Sequence, residues 1–327
     1  MLLNLLEYNW AEDIDDALML LARTDIKTVP LAGGTYLLGQ QDDSIQAVVD
    51  LRDLDLAYIN EDTRGVHIGA MTTLQAIADS PELQSLASGL LARTARASSF
   101  SHLIRNSATL GGTLATGAPS QADLLTALAV LDAEILLRSG SKTKVDLAGG
   151  SVDRPGFALA GVTFKGKNER RAIYHGANSR LDRRPNELII EAFIPRPAPN
   201  AGASFLRVGR TPTDVALLNV AALVEVSSGV YQQVRLALGG VNMEPVRLHA
   251  IEQALQGQRA TLSDAPDAPL NMQQLVSALQ AGMADFTPPS DFRASSGYRR
   301  ISGLNLALRA LEESTHISRL SSEGRQS

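Results

Sequence analysis

The chain of 327 residues contains no cysteine. That absence excludes disulfides, thiolate-held structural zinc, a cysteine nucleophile and any cysteine-ligated iron–sulfur cluster carried by this chain alone. Aromatic residues make up only 4%, which argues against stacking platforms for single-stranded nucleic acid. Positive charge is not in excess: 30 Lys and Arg stand against 35 Asp and Glu, a net charge of −5, so there is no electrostatic footprint for nucleic acid. No apolar run approaches the roughly 18 residues of a membrane span. The richest stretch, Leu124 to Leu137, is broken by Asp132 and Glu134. Glu7 interrupts the short apolar N-terminus, which has no basic segment and so does not read as a signal peptide. The five histidines, His67, His102, His175, His249 and His316, show no metal-ligand spacing. Ser101 and His102 are adjacent, and neighbours on a helix or strand point apart, so they are not read as a dyad. A soluble cytoplasmic protein is expected.

Hydrophobic residues reach 44%, enough for a sizeable core, and the length suggests two or three domains. Ile14 to Ala22 reads as a helix with acids gathered at its start, Lys27 to Ala32 and Ala47 to Leu51 as strands: a small β-α-β layer. A strand over Val66 to Ala70, helices over Thr73 to Ala78, Leu83 to Ala97 and Leu124 to Leu131, and a strand over Ala133 to Arg138 follow. Residues 139–186 read as loop-rich, with the basic run 165–184 as a solvated loop or a docking surface. Leu188 to Ile194 reads as a strand stopped by Pro195, and the Pro- and Gly-rich segment to Gly202 as a domain boundary. Beyond it we expect a hairpin of Val220 to Val226 and Gln233 to Leu238, then helices over Val246 to Leu255, Met272 to Met283 and Gly303 to Glu313. The polar end, 314–327, reads as a disordered tail.

Two Gly-Gly turns carry the best chemical signal. The first is Leu31-Ala32-Gly33-Gly34-Thr35-Tyr36-Leu37, directly after a predicted strand. The second lies in Ala108-Thr109-Leu110-Gly111-Gly112-Thr113. A glycine pair admits positive φ and lets main-chain N–H groups approach a phosphate, and the threonine hydroxyls add uncharged donors. Two such loops facing each other can cradle a pyrophosphate without lysine. Neither is a P-loop or a Rossmann fingerprint, and a Gly-Gly pair after a strand is most often an ordinary turn.

Ala32-Gly33-Gly34-Thr35, followed by Ile104-Arg105-Asn106-Ser107-Ala108-Thr109-Leu110-Gly111-Gly112, resembles the FAD-binding medium subunit of molybdenum hydroxylases, the xanthine dehydrogenase and carbon monoxide dehydrogenase family. Val48 to Arg52, Ile68 to Leu74 and Leu131 to Glu134 follow in the family's order. So do Phe205 to Arg210 with Asp214 to Ala216, Leu236 to Val241, and Ser290 to Ser295 with Tyr298 to Arg300. The resemblance spans about residues 4–312.

It implies an α+β fold: a PCMH-type FAD-binding domain over 1–195, with α/β subdomains of about 1–54 and 55–195, then a CO dehydrogenase flavoprotein C-terminal-like domain over 202–313 with a three-stranded antiparallel sheet. It implies non-covalent FAD held by Leu31 to Leu37, by Ala108 to Thr113 and Thr116, and by Asp123, Leu188 and Arg207. It also implies an electron-transfer oxidoreductase subunit without its own catalytic acid or base. The molybdenum cofactor would sit on a large molybdopterin-binding partner and the 2Fe-2S clusters on a small iron–sulfur partner. Three positions depart from the family pattern: Thr113 stands where Asn is usual, Tyr36 where a small polar or acidic residue is usual, and Pro119 to Asp123 is one residue longer than Pro-x-x-Asp. Those departures motivate an alternative, an FAD-less assembly scaffold. A self-sufficient flavin oxidase is a second alternative.

Overall fold

The computed structural model describes residues 2–117, 122–144, 162–172, 187–211, 214–241, 245–260 and 288–323. The expected helix over 272–283 and the basic segment beyond residue 172 lie outside them.

The N-terminal unit is a three-stranded parallel sheet. Strand β1 (Glu7–Trp10), helix α1 (Ile14–Leu21), β2 (Thr28–Leu31) and β3 (Ala47–Asp50) follow in chain order, with β3 between β1 and β2. Asp13 starts α1 by accepting the Asp16 N–H at 2.7 Å, the capping the acid cluster foreshadows. Strand β3 is buried throughout because both of its faces are covered, Val49 packing with Ala17 and Leu18 and Val48 with Leu2 and Ile45.

The second unit is a five-stranded antiparallel sheet under a layer of helices. Its strands are β4 (Ile59–Glu61), β5 (Gly65–Gly69), β6 (Glu134–Lys144), β7 (Val162–Ala172) and β8 (Glu187–Pro195), in the order β4-β5-β8-β6-β7. Between β5 and β6 the described residues form the helices α2 (Leu74–Asp79), α3 (Pro81–Ser85), α4 (Leu90–Ala97), α5 (His102–Ser107), α6 (Leu110–Thr116) and α7 (Ala122–Val130). The single helix expected over Leu83 to Ala97 is broken. Ala87, Ser88 and Gly89 all take positive φ, and the kink leaves Leu83, Leu86, Leu90 and Leu91 all buried. Strand β7 corrects the loop expected across 139–186. Residues 167–170 are exposed on both faces, so no apolar alternation marks them as a strand.

The C-terminal sheet has four strands, not three: β9 (Gly202–Val208), β10 (Leu218–Ser227), β11 (Val230–Gly239) and the two-residue β12 (Val246–Arg247), ordered β12-β11-β10-β9. The hairpin of β10 and β11 closes through Ser228 (φ 50°) and Gly229 (φ 72°), the left-handed pair of a type I′ turn. Both faces of this sheet are covered. Ala203, Ala221 and Ala237 meet the helical layer, where small side chains let α7 come close, and seven of the nine residues of α7 are apolar and all of those but Ala122 are buried. Val220, Ala222 and Val224 face α8 (His249–Leu255) and α9 (Ser296–Glu323).

Helix α9 runs well past the expected end at Glu313, so residues 314–323 are helical rather than a disordered tail. Ser314, Thr315 and Ser318 are buried against the sheet. Ser314 bonds Ser204 at 2.8 Å, Ser318 accepts the Val226 N–H at 2.9 Å, and Thr315 lies 3.1 Å from the Tyr231 hydroxyl. The Ser314 and Thr315 hydroxyls also donate to helix carbonyls one turn back, Ala310 at 2.8 Å and Leu311 at 2.6 Å, so small polar residues pack where the sequence shows only polarity.

Candidate functional site

Strand β2 delivers the first Gly-Gly loop to the edge of a cleft between the N-terminal sheet and the helical layer. Gly34 takes φ +69°, and the chain then tightens into a 3₁₀ turn over Leu37–Gly39, closed by Leu38 N–H to the Gly34 carbonyl at 3.1 Å. Gly33 is pressed against the α5–α6 link: a β-carbon there would stand 1.6 Å from the Ser107 carbonyl oxygen. The two glycine pairs therefore do face each other. The cleft between them holds about 380 Å³, inside the usual range for small-molecule sites of roughly 300–1,000 Å³.

The second pair is not a turn. It forms the first turn of α6, whose cap is Thr109. Its N–H groups are already spent: Leu110 donates to Thr72 O at 2.9 Å, Gly111 to Ala70 O at 2.7 Å and Gly112 to Thr109 Oγ1 at 3.1 Å. Gly111 exists for packing, since a β-carbon there would meet Ala70 Cβ and O at 2.9 Å. Gly112 meets only Thr109 Oγ1, at 3.1 Å, and its bare face belongs to the cleft. The hydroxyls of Thr113 and Thr116 turn back onto helix carbonyls of Thr109 and Gly112, both at 2.9 Å.

The donors left over lie on the first loop. Among the described residues the main-chain N–H groups of Gly33, Gly34, Thr35 and Tyr36 have no partner, and neither do the hydroxyls of Thr35 and Tyr36. Glu187, at the start of β8, is the one charged side chain among the described lining residues, and it is buried.

Of the residues expected from the sequence, Ala32 to Leu37, Ala108, Thr109, Gly111, Gly112, Thr113, Thr116 and Leu188 line this cleft. Leu31 packs instead beside Leu2, Ile45 and Val48, and Leu110 is fully buried in the helical core. Asp123 and Arg207 are together, but in a different place. They form a buried ion pair (Oδ2 to Nε, 3.2 Å) between α7 and the C-terminal sheet, completed by Asn219 Nδ2 on Asp123 Oδ1 at 2.5 Å and by Thr126 on Asn219 at 2.7 Å. Burial pushes the Asp123 carboxyl up to about 6, against the pull of Arg207 and of the Asn219 bond. Sequence reasoning missed Ala70, Met71 and Glu187 as wall residues. Each sits beside a recognisable feature, the end of β5 or Leu188, but nothing in the local pattern turns it toward the cleft.

Two family profiles cover most of the chain. "FAD binding domain in molybdopterin dehydrogenase" matches residues 4–149, and "CO dehydrogenase flavoprotein C-terminal domain" matches residues 203–314. The chain belongs to the FAD-binding subunit family of molybdenum hydroxylases.

Its relatives agree along nearly their whole length. The putative xanthine dehydrogenase FAD-binding subunit of Escherichia coli K12 is 28% identical over 89% of this chain and 90% of its own. The glyceraldehyde dehydrogenase medium chain of Sulfolobus acidocaldarius is 28% identical over 94% and 97%. A crystal structure of a Cu,Mo-CO dehydrogenase contains a chain that superposes with a TM-score of 0.75 at 25% identity, covering 97% of this chain and 100% of that one.

The cleft fits the group that this family implies. FAD carries a diphosphate that needs several donors close to the main chain, and the first loop offers four free N–H groups and two free hydroxyls beside the bare face of Gly112. Among the described residues no group of three or more His, Asp or Glu is placed to hold a metal, and no helix is long and apolar enough to cross a membrane. The protein is an oxidoreductase flavoprotein subunit by family.

Proposed function

We propose that this chain is the electron-transfer subunit of a molybdenum hydroxylase complex, working with a large molybdopterin-binding partner and a small iron–sulfur partner in the cytoplasm. The observation that carries the site assignment is the set of unspent donors on residues 33–36, facing a cleft walled by α6. When bound, FAD supplies the redox chemistry, taking electrons from partner clusters and passing them to an acceptor. The chain's own residues bind and orient. Gly33 and Gly34 bring the first loop to the cleft, Thr35 and Tyr36 add neutral donors, and Leu188 with the α6 wall excludes water from an apolar interior.

The lack of cysteine supports a partner-held cluster, because this chain has no thiolate ligand to offer. The test is a visible absorption spectrum of the purified full chain, with the flavin released by denaturation and identified by chromatography. Stoichiometric, releasable FAD is expected. A chain that stays colourless after incubation with excess FAD would replace this reading with the assembly scaffold.

A further inference from the structure

The parallel sheet β1-β3-β2 is unevenly covered. Helix α1 packs on the face where Val49 meets Ala17 and Leu18. On the other face the described core is a small cluster around Leu2, Ile45 and Val48, and none of its members is on the edge strand β1. There Tyr8, in register with Val48, is 43% exposed, and Trp10, in register with Asp50, is 56% exposed. Leu6, just before the strand, is 72% exposed. Purely parallel sheets are ordinarily covered on both faces, so this face is short of part of a layer.

The exposed side chains are fixed in place. Tyr8 donates its hydroxyl to the buried Asp50, whose other oxygen accepts the Arg52 N–H at 2.9 Å. The Arg52 guanidinium stands 5.8 Å from the centre of the Trp10 ring, and the Trp10 and Tyr8 rings lie 5.3 Å apart. One buried carboxylate thus organises a Tyr-Trp-Arg group on the surface. These are the residue types that dominate the binding energy of protein interfaces, and ordering them in advance lowers the cost of docking.

The charge around the group has one sign. Residues 1–56 carry eleven Asp and Glu and three Lys and Arg, although the whole chain has a net charge of only −5. All three cations are already in ion pairs within the unit: Arg23 with Glu7 and Asp25, Lys27 with Asp42, and Arg52 with Asp50. Glu12 and Asp13, just beyond Trp10, and Asp53, next to Arg52, are exposed. The Asp50 bond pushes the Tyr8 phenol above its ordinary value, and the Asp53 charge adds to the push. Such a surface attracts and orients a basic one and repels an acidic one.

Resting on the multi-subunit reading above, we propose that Leu6, Tyr8 and Trp10 are the centre of a docking surface for a partner subunit, which brings to it an apolar patch ringed by lysine and arginine. The partner completes the layer over β1, Trp10 is the anchor, and the acidic rim sets the orientation.

The full chain is titrated with the co-purified pair of molybdopterin-binding and iron–sulfur partners, for the wild type, Trp10→Ala and Asp53→Lys. Truncating an anchor of this kind predicts an affinity weaker by about thirtyfold or more. Wild-type affinity should fall as salt rises from about 0.05 to about 0.5 M, and Asp53→Lys should weaken binding at the low end. Both variants should keep the wild-type FAD content and melting temperature. Equal affinity of Trp10→Ala and the wild type overturns the proposal and leaves the complex standing, as does an affinity that salt does not change. A Trp10→Ala chain that melts lower or loses FAD also overturns it, because the residue then serves the fold. Self-association of the wild type that Trp10→Ala abolishes, seen by sedimentation, gives the face to a second copy and overturns it too. A wild type that holds FAD but binds neither partner removes the complex reading and the proposal with it.

Discussion

Gly33 and the Ser107 carbonyl oxygen are in contact so close that a β-carbon on residue 33 would lie 1.6 Å away. This contact joins the first loop, at the end of β2, to the link between α5 and α6. It makes one cleft out of two glycine motifs that are far apart in sequence. The obstacle is main chain, which no rotamer change relieves, so Gly33→Ala must part the loops. We expect a loss of about 2–4 kcal/mol in stability and no retained FAD, read by thermal melting and flavin content. A Gly33→Ala protein with full flavin would contradict the joint between the two motifs.

The second pair separates packing from binding. Gly111→Ala drives a β-carbon into Ala70 and should cost about 1–3 kcal/mol. Gly112→Ala meets only Thr109 Oγ1, and alanine favours a helix by about 1 kcal/mol over glycine. Its stability should stay within about 1 kcal/mol of the wild type. Its β-carbon occupies the cleft, however, so FAD affinity should fall. A melt and a fluorescence titration of each variant check the contrast, and equal behaviour of the two would contradict it.

The same residues show how far the sequence could be read. Residues 220–226 and 233–238 were legible because two apolar runs flanking a Ser-Ser-Gly turn report local facts that the hairpin keeps. Gly111 and Gly112 were legible as a candidate loop but not as a helix. Glycine disfavours helix, and what overrides it is tertiary: the Thr109 cap, and the bonds from Leu110 and Gly111 to Thr72 and Ala70. Ser314, Thr315 and Ser318 misled for the same reason, since their hydroxyls find partners only once α9 lies on β9 and β10. The resemblance offers Asp123 and Arg207 as cofactor residues, and the structure pairs them with each other away from the cleft. Their meeting place depends on how α7 docks on the C-terminal sheet, which no motif encodes.

Ionic strength offers a third test. The only charged side chain on the described cleft wall is the buried Glu187, so attraction of the FAD diphosphate comes from fixed N–H and O–H dipoles at contact distance. Salt screens charges over a Debye length of about 10 Å at 0.1 M but acts weakly on short contacts in a closed site. The FAD dissociation constant should therefore change by less than about threefold between about 0.05 and about 0.5 M salt. A steep salt dependence, measured by fluorescence titration, would mean that a cation outside the described wall takes part.

The Asp123–Arg207 pair makes stability depend on pH in an unusual direction. Burial lifts the Asp123 carboxyl from 3.8 to about 6, so the folded chain holds this proton more tightly than the unfolded chain does. The stabilisation from that proton is fully present below about pH 4 and is lost as pH rises through 6. The whole shift corresponds to about 3 kcal/mol, of which about 1 kcal/mol falls between pH 7 and pH 5. Asp42 and Asp62 act the other way. The Ser44 side chain and the Arg64 main-chain N–H, respectively, hold them down at about 2, so their contributions are lost only as pH falls below 4, outside this window. The melting temperature should therefore rise on the order of 1–2 °C from pH 7 to pH 5. Asp123→Asn keeps the side-chain shape and cannot titrate, so its melting temperature should not show that rise. A rise of equal size in the variant would place the titrating group elsewhere.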